Sequence, residues 1–228
     1  MSKNPILSHI RSFVRRQGRL TLAQAHALSA YHDDFMLEAE GLWSFDKTFP
    51  DSQAVVLEIG FGNGETLVEQ AMASPLTGFI GIEVHSPGVG HCMHMSHEKS
   101  LTNLRLCQAD AFLVLRDCVP SNSLARIQIY FPDPWHKNRH HKRRLIQSPF
   151  VDLLVDKLSA AGSIHMATDW EPYAAHALRV FSEHKALCNQ SISKGYVAKP
   201  DFRPVTKFEK RGHRLGHQSY DLLFQKVS

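Results

Sequence analysis

Segments with the patterns of strands and of helices alternate along this 228-residue chain from about residue 53 onward, and this alternation limits the possible folds more than any other feature. Short apolar runs predict strands at 54–59, 79–84, 104–108, 124–131 and 163–168. Helices are predicted between them, near 65–74, 86–100, 111–118, 148–159 and 170–184. Alternating strands and helices form parallel sheets, so we predict an α/β fold with a doubly wound parallel sheet. A long loop at 194–216 precedes a last predicted strand at 219–224.

The residues before this alternation divide into two segments. Residues 1–32 contain no Asp or Glu and include Arg11, Arg15, Arg16 and Arg19, which predicts a basic N-terminal arm that contacts phosphates. A solvated basic helix face and an organellar transit peptide have the same composition, and both stay open as alternatives. Residues 33–52 are predicted to be a linker, and residues 53–228 the main domain.

The bulk composition restricts the class of protein. Hydrophobic residues make up 43% of the chain, which is enough for one sizeable core, and a net charge of +4 favours a polyanionic partner. Four cysteines without a CxxC pair predict a reducing compartment. No apolar run approaches the roughly 18 residues of a membrane span, so we expect a cytoplasmic protein that does not contact membranes.

A glycine-rich turn follows the first predicted strand in VVLEIGFGNGETL. Gly60, Gly62 and Gly64 place a tight turn at the carboxyl end of that strand, where such sheets bind ligands. The dinucleotide spacing GxGxxG would require a third glycine at Glu65, so a nicotinamide enzyme is disfavoured. The acid Glu58 before the turn would attract a ligand with a sulfonium and an ammonium group. This spacing resembles the first motif of Rossmann-like methyltransferases, and it predicts S-adenosylmethionine as the cofactor.

Two further acids close the next predicted strands. Glu83 ends the second strand in FIGIEV, where a carboxylate can accept hydrogen bonds from both ribose hydroxyls. Asp110 ends the third strand in LRLCQAD, where a side-chain or backbone acceptor can meet the adenine amino group. An N-cap of the following helix is the alternative role of Asp110.

The segment FPDPWHKNRHHKRR follows the fourth predicted strand. Two prolines enclose Asp133 and pre-organise its turn, as a catalytic loop requires. Trp135 is either a stacking platform for a nucleobase or an ordinary core residue. Because the next residues lie close to this loop, we expect phosphate contacts rather than a solvated face from Lys137, Arg139, His140, His141, Lys142, Arg143 and Arg144.

Together these segments resemble the bacterial tRNA (guanine-N(7)-)-methyltransferase family, from about residue 10 to the end of the chain. The most specific pieces are IRSFVRRQGRL, LEIGFGNG, GIEVHSPGVG, FPDPWHKNRHHKRR, HMATDWEPYA and RPVTKFEKRGHRLGH, in the family's order. The resemblance implies a class I methyltransferase fold with an antiparallel last strand at 53–228. It further implies methylation of the variable-loop guanine of tRNA by a chain that needs no protein partner and acts as a monomer.

The resemblance also implies roles for individual residues. Cofactor contacts are implied for Glu58, Glu83, Asp110 and Asp133, beside the turn at Gly60 and Gly62. Substrate contacts are implied for Lys137, for Asp169 and for the stretch Thr206, Lys207, Phe208 and Glu209.

The chemistry of guanine suggests how such an enzyme works. Ring nitrogen 7 has an in-plane lone pair and no proton, so catalysis rests on placement and electrostatics rather than on a general base. A carboxylate at Asp133 or Asp169 would stabilise the cationic product and bind the Watson–Crick edge. We therefore expect Asp133 to be catalytic through positioning.

Other functions stay open on the residues alone. The chain could methylate another nucleic-acid base or a small molecule, although a small-molecule enzyme would not explain the basic run. It could also be a non-catalytic RNA-binding subunit with a methyltransferase-like fold, although such a subunit has no need for the four acids. No metal is expected, because steps of three spread His91, His94 and His97 around a helix.

Overall fold

A computed structural model of the chain describes residues 12–13, 18–206, 209 and 218–227. Its strands are β1 (Ala54–Ile59), β2 (Thr77–Ile82), β3 (Leu104–Cys107), β4 (Leu124–Tyr130), β5 (Leu158–Thr168), β6 (Leu187–Asn189) and β7 (Tyr220–Lys226). Its helices are α1 (Leu22–Ala30), α2 (His32–Phe35), α3 (Phe45–Thr48), α4 (Glu65–Ala73), α5 (Ser86–Glu98), α6 (Ala111–Asp117), α7 (Ser148–Lys157) and α8 (Glu171–Glu183). A 3-10 helix spans Asn138–Arg143. None of these helices is long and apolar enough to cross a membrane.

The strands form one sheet in the order β3-β2-β1-β4-β5-β7-β6. Strands β1 to β5 are parallel, whereas β7 is antiparallel to both of its neighbours. The prediction of a doubly wound, mostly parallel sheet with an antiparallel last strand is confirmed. Because the strand order reverses between β1 and β4, a crevice opens between their carboxyl ends, where sheets of this kind bind ligands.

The sequence patterns locate most elements correctly and miss two features of the sheet. Strand β5 begins at Leu158 rather than at residue 163. It bends at Ala161, where φ is 57°, and resumes pairing with β4 at Ser163, so the prediction covered only the part after the bend. Strand β6 is not predicted at all, because its three residues are too short to show a periodic pattern.

The central strands are buried on both faces, as parallel sheets require. In β1, Val55, Leu57 and Ile59 point into one apolar cluster, and Val56 points into a second cluster on the opposite face. Glu58 shares the second face with Val56, because side chains alternate along a strand. This strand therefore delivers a carboxyl group into an otherwise apolar layer.

The region before β1 packs against the sheet domain. Helix α1 begins with a capping box between Thr21 and Gln24, and the Tyr31 ring stacks on His97 of α5 with 3.6 Å between ring centroids. The predicted linker at 33–52 contains α2 and α3 and buries Phe35, Trp43 and Phe49. Of the arginines assigned to the basic arm, Arg19 is exposed, and Arg11, Arg15 and Arg16 lie outside the described residues.

Candidate active site

The glycine turn after β1 takes a backbone form that favours glycine. Gly60, Gly62 and Gly64 all have positive φ angles, with values of 75°, 60° and 82°. The turn brings the Gly62 N–H to 2.9 Å from a carboxylate oxygen of Glu83, beyond the end of β2. The two predicted cofactor elements are therefore joined directly by a hydrogen bond.

Glu58 is a buried acid of this region whose pKa is strongly shifted. Its side chain is 2% exposed, and its Oε2 atom has no hydrogen-bond partner among the described residues. Burial raises its pKa to about 8, a hydrogen bond with Thr66 opposes that rise, and the Glu83 carboxylate adds to it. A cationic ligand would give this oxygen a partner and would stabilise the ionised form of the Glu58 carboxyl group.

The Glu83 carboxylate is held by the backbone. Besides the Gly62 N–H, it accepts hydrogen bonds from the N–H groups of Val84 at 2.6 Å and His85 at 3.1 Å. Three donors of this kind fix the position of the carboxylate. Glu83 therefore shapes the glycine turn in addition to facing the cavity.

Asp110 lies at the N-terminus of α6, where its side chain accepts a hydrogen bond from the Phe112 N–H at 3.0 Å. This is the N-cap geometry that we considered as the alternative role. Asp110 also lines the cavity described next. The N-cap bond and a ligand contact are compatible, because a carboxylate offers several acceptor positions.

A cavity of about 570 Å³ opens at the carboxyl edge of the sheet, between β1 and β4. This volume suits a cofactor-sized ligand. The described residues that line it include no Lys or Arg. They include six carboxylic acids, namely Glu58, Glu65, Glu69, Glu83, Asp110 and Asp133. The cavity therefore favours a ligand with positive charge.

The Asp133 loop forms the β4 side of the cavity. Asp133 is exposed and lines the cavity, between Pro132 and Pro134. Phe131 and Trp135 on either side have φ angles of 49° and 48°, which are unusual for residues other than glycine. The loop thus has a defined, constrained shape that presents one carboxylate to the cavity.

Trp135 contacts other parts of the protein through its indole N–H and its ring. Its indole N–H donates to the Ser12 carbonyl at 3.0 Å, and the Arg143 guanidinium lies 4.1 Å from the centre of its ring. Arg143 also donates to the Phe13 carbonyl at 3.5 Å. Trp135 is half-buried and belongs to neither apolar cluster of the described residues, so it is not an ordinary core residue, and its stacking role stays a prediction.

The basic run divides into exposed and buried members. Lys137, Arg139 and Lys142 are exposed on or beside the 3-10 helix. His140 and His141 are half-buried, as is Arg143, which lies against Trp135. Three cations are thus available to a polyanion beside the Asp133 loop.

Arg144 is turned into the protein, contrary to the phosphate contact predicted for it. Its side chain is buried, and it donates to the Pro134 carbonyl at 2.9 Å and to the Pro172 carbonyl at 3.5 Å. Its guanidinium is 5.0 Å from the centre of the Tyr173 ring. The sequence grouped Arg144 with the phosphate-binding residues because a charge run does not show which members turn inward; here it braces the Asp133 loop against the start of α8.

The remaining predicted substrate residues are placed differently from one another. Asp169 is exposed just after β5, outside the cavity lining, whereas Thr206 lines the cavity. Glu209 is buried, with both carboxylate oxygens on the Arg203 guanidinium at 2.7 and 2.8 Å. Lys207 and Phe208 lie outside the described residues.

Sequence reasoning missed a buried polar network behind the cavity. Arg203 binds Asp221 of β7, Asp221 binds His165 of β5, and the His165 ring lies 3.0 Å from the Tyr130 hydroxyl of β4. Tyr130 lines the cavity. These residues are far apart in the chain, so no local motif links them.

Comparisons with known proteins agree with this geometry. A family model described as a putative methyltransferase matches residues 52–222. The tRNA (guanine-N(7)-)-methyltransferase of Escherichia coli O6:K15:H31 (strain 536 / UPEC) is 54% identical over 222 residues, covering 97% of this chain and 93% of that protein. The protein of the same name from Escherichia coli (strain K12) is 53% identical with the same coverage.

Solved structures with little sequence identity share the fold. The 16S rRNA methyltransferase KamB superposes with a TM-score of 0.58 at 13% identity, covering 81% of this chain and 93% of that one. TrmN from Thermus thermophilus superposes with a TM-score of 0.55 at 14% identity, covering 80% of this chain and 47% of that one. At these identities the likeness concerns the fold alone.

Proposed function

Because the chain belongs to the tRNA (guanine-N(7)-)-methyltransferase family, we propose that it transfers a methyl group from S-adenosylmethionine to ring nitrogen 7 of a guanine in tRNA. One observation carries the proposal: a single acidic cavity extends from Glu58 to Asp133, and the Asp133 loop continues into exposed cations. The cavity suits a cationic cofactor, and the cations suit an RNA backbone.

The residues of the cavity fit S-adenosylmethionine. Glu58 has a buried oxygen without a partner in the described part of the chain and faces the charge of the methionine part, while Glu83 accepts hydrogen bonds from the ribose hydroxyls. Asp110 accepts from the adenine amino group. When bound, S-adenosylmethionine supplies an electrophilic methyl group on a positively charged sulfur.

In this proposal, Asp133 binds and positions the guanine. Ring nitrogen 7 needs no deprotonation, so the chain needs no general base and instead holds the ring in line with the methyl group. The Asp133 carboxylate accepts hydrogen bonds from the guanine and stabilises the positive charge that develops on the ring. Arg144 and the two prolines keep this carboxylate in place.

The tRNA side of the proposal rests on exposed groups. Lys137, Arg139 and Lys142 bind phosphates. Thr206 contacts the substrate from the lining of the cavity, and Asp169 binds the guanine edge after the base leaves its stack. The target is the variable-loop guanine, and the enzyme acts in the cytoplasm as a monomer without a protein partner.

Nucleoside analysis tests the proposal directly. Bulk tRNA that lacks 7-methylguanosine is incubated with the chain and methyl-labelled cofactor, digested and separated. We expect label in 7-methylguanosine, loss of that label with Asp133→Ala, and no loss with the control Asp152→Ala, an exposed acid on α7. Label in another nucleoside would indicate a different base, and cofactor binding without any label would indicate a non-catalytic RNA-binding subunit.

A further inference from the structure

Arg203 is a fully buried cation between two carboxylates, and the proposed reaction gives it no task. Its side chain has 0% exposure. It donates to both oxygens of Glu209, at 2.7 and 2.8 Å, and to both oxygens of Asp221, at 2.8 and 2.9 Å. An arginine with this many charge-assisted bonds has one fixed orientation, because its donors form a rigid planar fork.

This guanidinium joins the strands beneath the cavity. Asp221 also lies 2.8 Å from His165 Nε2, and the other ring nitrogen of His165 lies 3.0 Å from the Tyr130 hydroxyl. The Arg203 guanidinium carbon is 5.9 Å from the ring centres of both Tyr130 and Phe131. Tyr130 and Phe131 are cavity residues that lead into the Asp133 loop.

Arg203 also lies close in the chain to two residues that line the cavity. Val205 and Thr206 line the cavity between Arg203 and Glu209. The Thr206 hydroxyl accepts a hydrogen bond from the Glu209 N–H at 3.0 Å, and Glu209 Oε2 accepts one from the Thr206 N–H at 3.3 Å. The Arg203–Glu209 ion pair and these two hydrogen bonds therefore connect Arg203 with Thr206 through Glu209.

We propose that Arg203 is a positioning residue that holds Val205 and Thr206 in the wall of the catalytic cavity, and that Glu209 acts through Arg203 rather than by touching the guanine. This inference rests on the proposed function. Both Glu209 oxygens are engaged by the guanidinium, and turning them toward a substrate would leave a buried arginine with one partner fewer.

Placement of the guanine and binding of the cofactor depend on different groups of the protein in this proposal. Glu83 is held by backbone N–H groups of its own turn, and the exposed cations of the basic run make no contact with Arg203 among the described residues. Weakening the Arg203 network should therefore lower kcat, because misplacement of a reacting group slows chemistry strongly. Affinity for the cofactor and for tRNA should change little.

Four variants of the full chain test this: Arg203→Lys, Glu209→Gln, the two combined, and Arg179→Lys as a control in an exposed Arg–Glu pair on α8. Arg203→Lys keeps the buried positive charge, so the fold should survive, and a melting curve checks this. We expect each single variant to lower kcat for 7-methylguanosine formation by about 10- to 100-fold. The KM for tRNA and the Kd for S-adenosylmethionine should stay within about twofold, as should all values for the control.

The double variant separates the two roles of Glu209. If Glu209 acts through Arg203, the combined variant is no slower than the slower single variant, because the second change removes an interaction already lost. Multiplied losses would show that Glu209 contacts the substrate itself and would overturn the inference.

Other outcomes are equally decisive. Unchanged kcat in Arg203→Lys, or a parallel loss of cofactor affinity that marks general damage to the fold, would overturn the inference alone. A wild-type chain that binds cofactor but makes no 7-methylguanosine would overturn the proposed function and this inference with it.

Discussion

Replacing Glu58 by Gln tests whether a buried carboxylate provides the charge that binds the cofactor. Burial raises the pKa of Glu58 to about 8, so roughly nine-tenths of this group is protonated at pH 7 in the free chain. A cationic ligand binds the ionised form, and the ionised fraction rises about ninefold between pH 6 and pH 7. Cofactor affinity should rise by the same factor and level off near pH 8, where the ligand's own amino group begins to lose its proton. Glu58→Gln should bind weakly and without this rise.

The same shift predicts an effect on stability with a definite sign. The folded-state pKa of about 8 lies above the ordinary glutamate pKa of 4.5, so the free fold loses stability as pH rises from about 4.5 to 8. Between pH 6 and pH 8 the loss is on the order of 2 kcal/mol. Gln does not ionise, so Glu58→Gln should lack this loss and become the more stable chain at pH 8 while binding cofactor less well.

Calorimetric titration of S-adenosylmethionine at half-unit steps from pH 6 to 7.5, with urea unfolding at pH 6 and 8, measures both effects. Glu69→Gln is the matched control, because Glu69 lines the same cavity but is exposed. The control should keep the pH dependence of the wild-type chain. Wild-type affinity that does not vary with pH, or an equal rise in Glu58→Gln, would refute the reasoning.

Three other predictions concern the remaining sites. Asp133→Ala should leave the chain folded, because this side chain is exposed, but should remove most methyl transfer; turnover near the wild-type value would exclude its catalytic role. Glu83→Ala should weaken S-adenosylmethionine binding by about 1 to 3 kcal/mol in calorimetry, the cost of unmade bonds to a charged group, and unchanged affinity would remove Glu83 from the site. Arg139→Ala with Lys142→Ala should flatten the log–log salt dependence of tRNA binding by up to about 1.8, whereas buried Arg144→Ala should leave that slope unchanged and destabilise the fold by about 1 to 3 kcal/mol. Parallel salt lines for the double variant would show that these exposed cations do not reach phosphates.

Local patterns in the sequence were sufficient for the fold class and for three of the acids that line the cavity. A strand, its glycine turn and the acid beside it are neighbours in the chain, so their chemistry is visible as one motif. Glu58, Glu83 and Asp110 each mark the end of a predicted strand, and parallel strands bring such ends to one edge. Their convergence on one cavity therefore follows from the strand order.

Only the tertiary structure decided which charged residues are exposed beside the cavity and which are buried against other parts of the protein. Arg139 and Arg144 are members of one basic run, yet the first is exposed and the second is buried under the Asp133 loop. The family resemblance implies a substrate contact for Glu209, and in the structure its carboxylate is paired with Arg203. The charge of a residue determines which kinds of group its side chain can bind. The group that it does bind depends on which strands and loops meet in space. Arg203, Asp221 and His165 come together only because β7 pairs with β5 beneath the cavity, and no spacing along the chain encodes that contact.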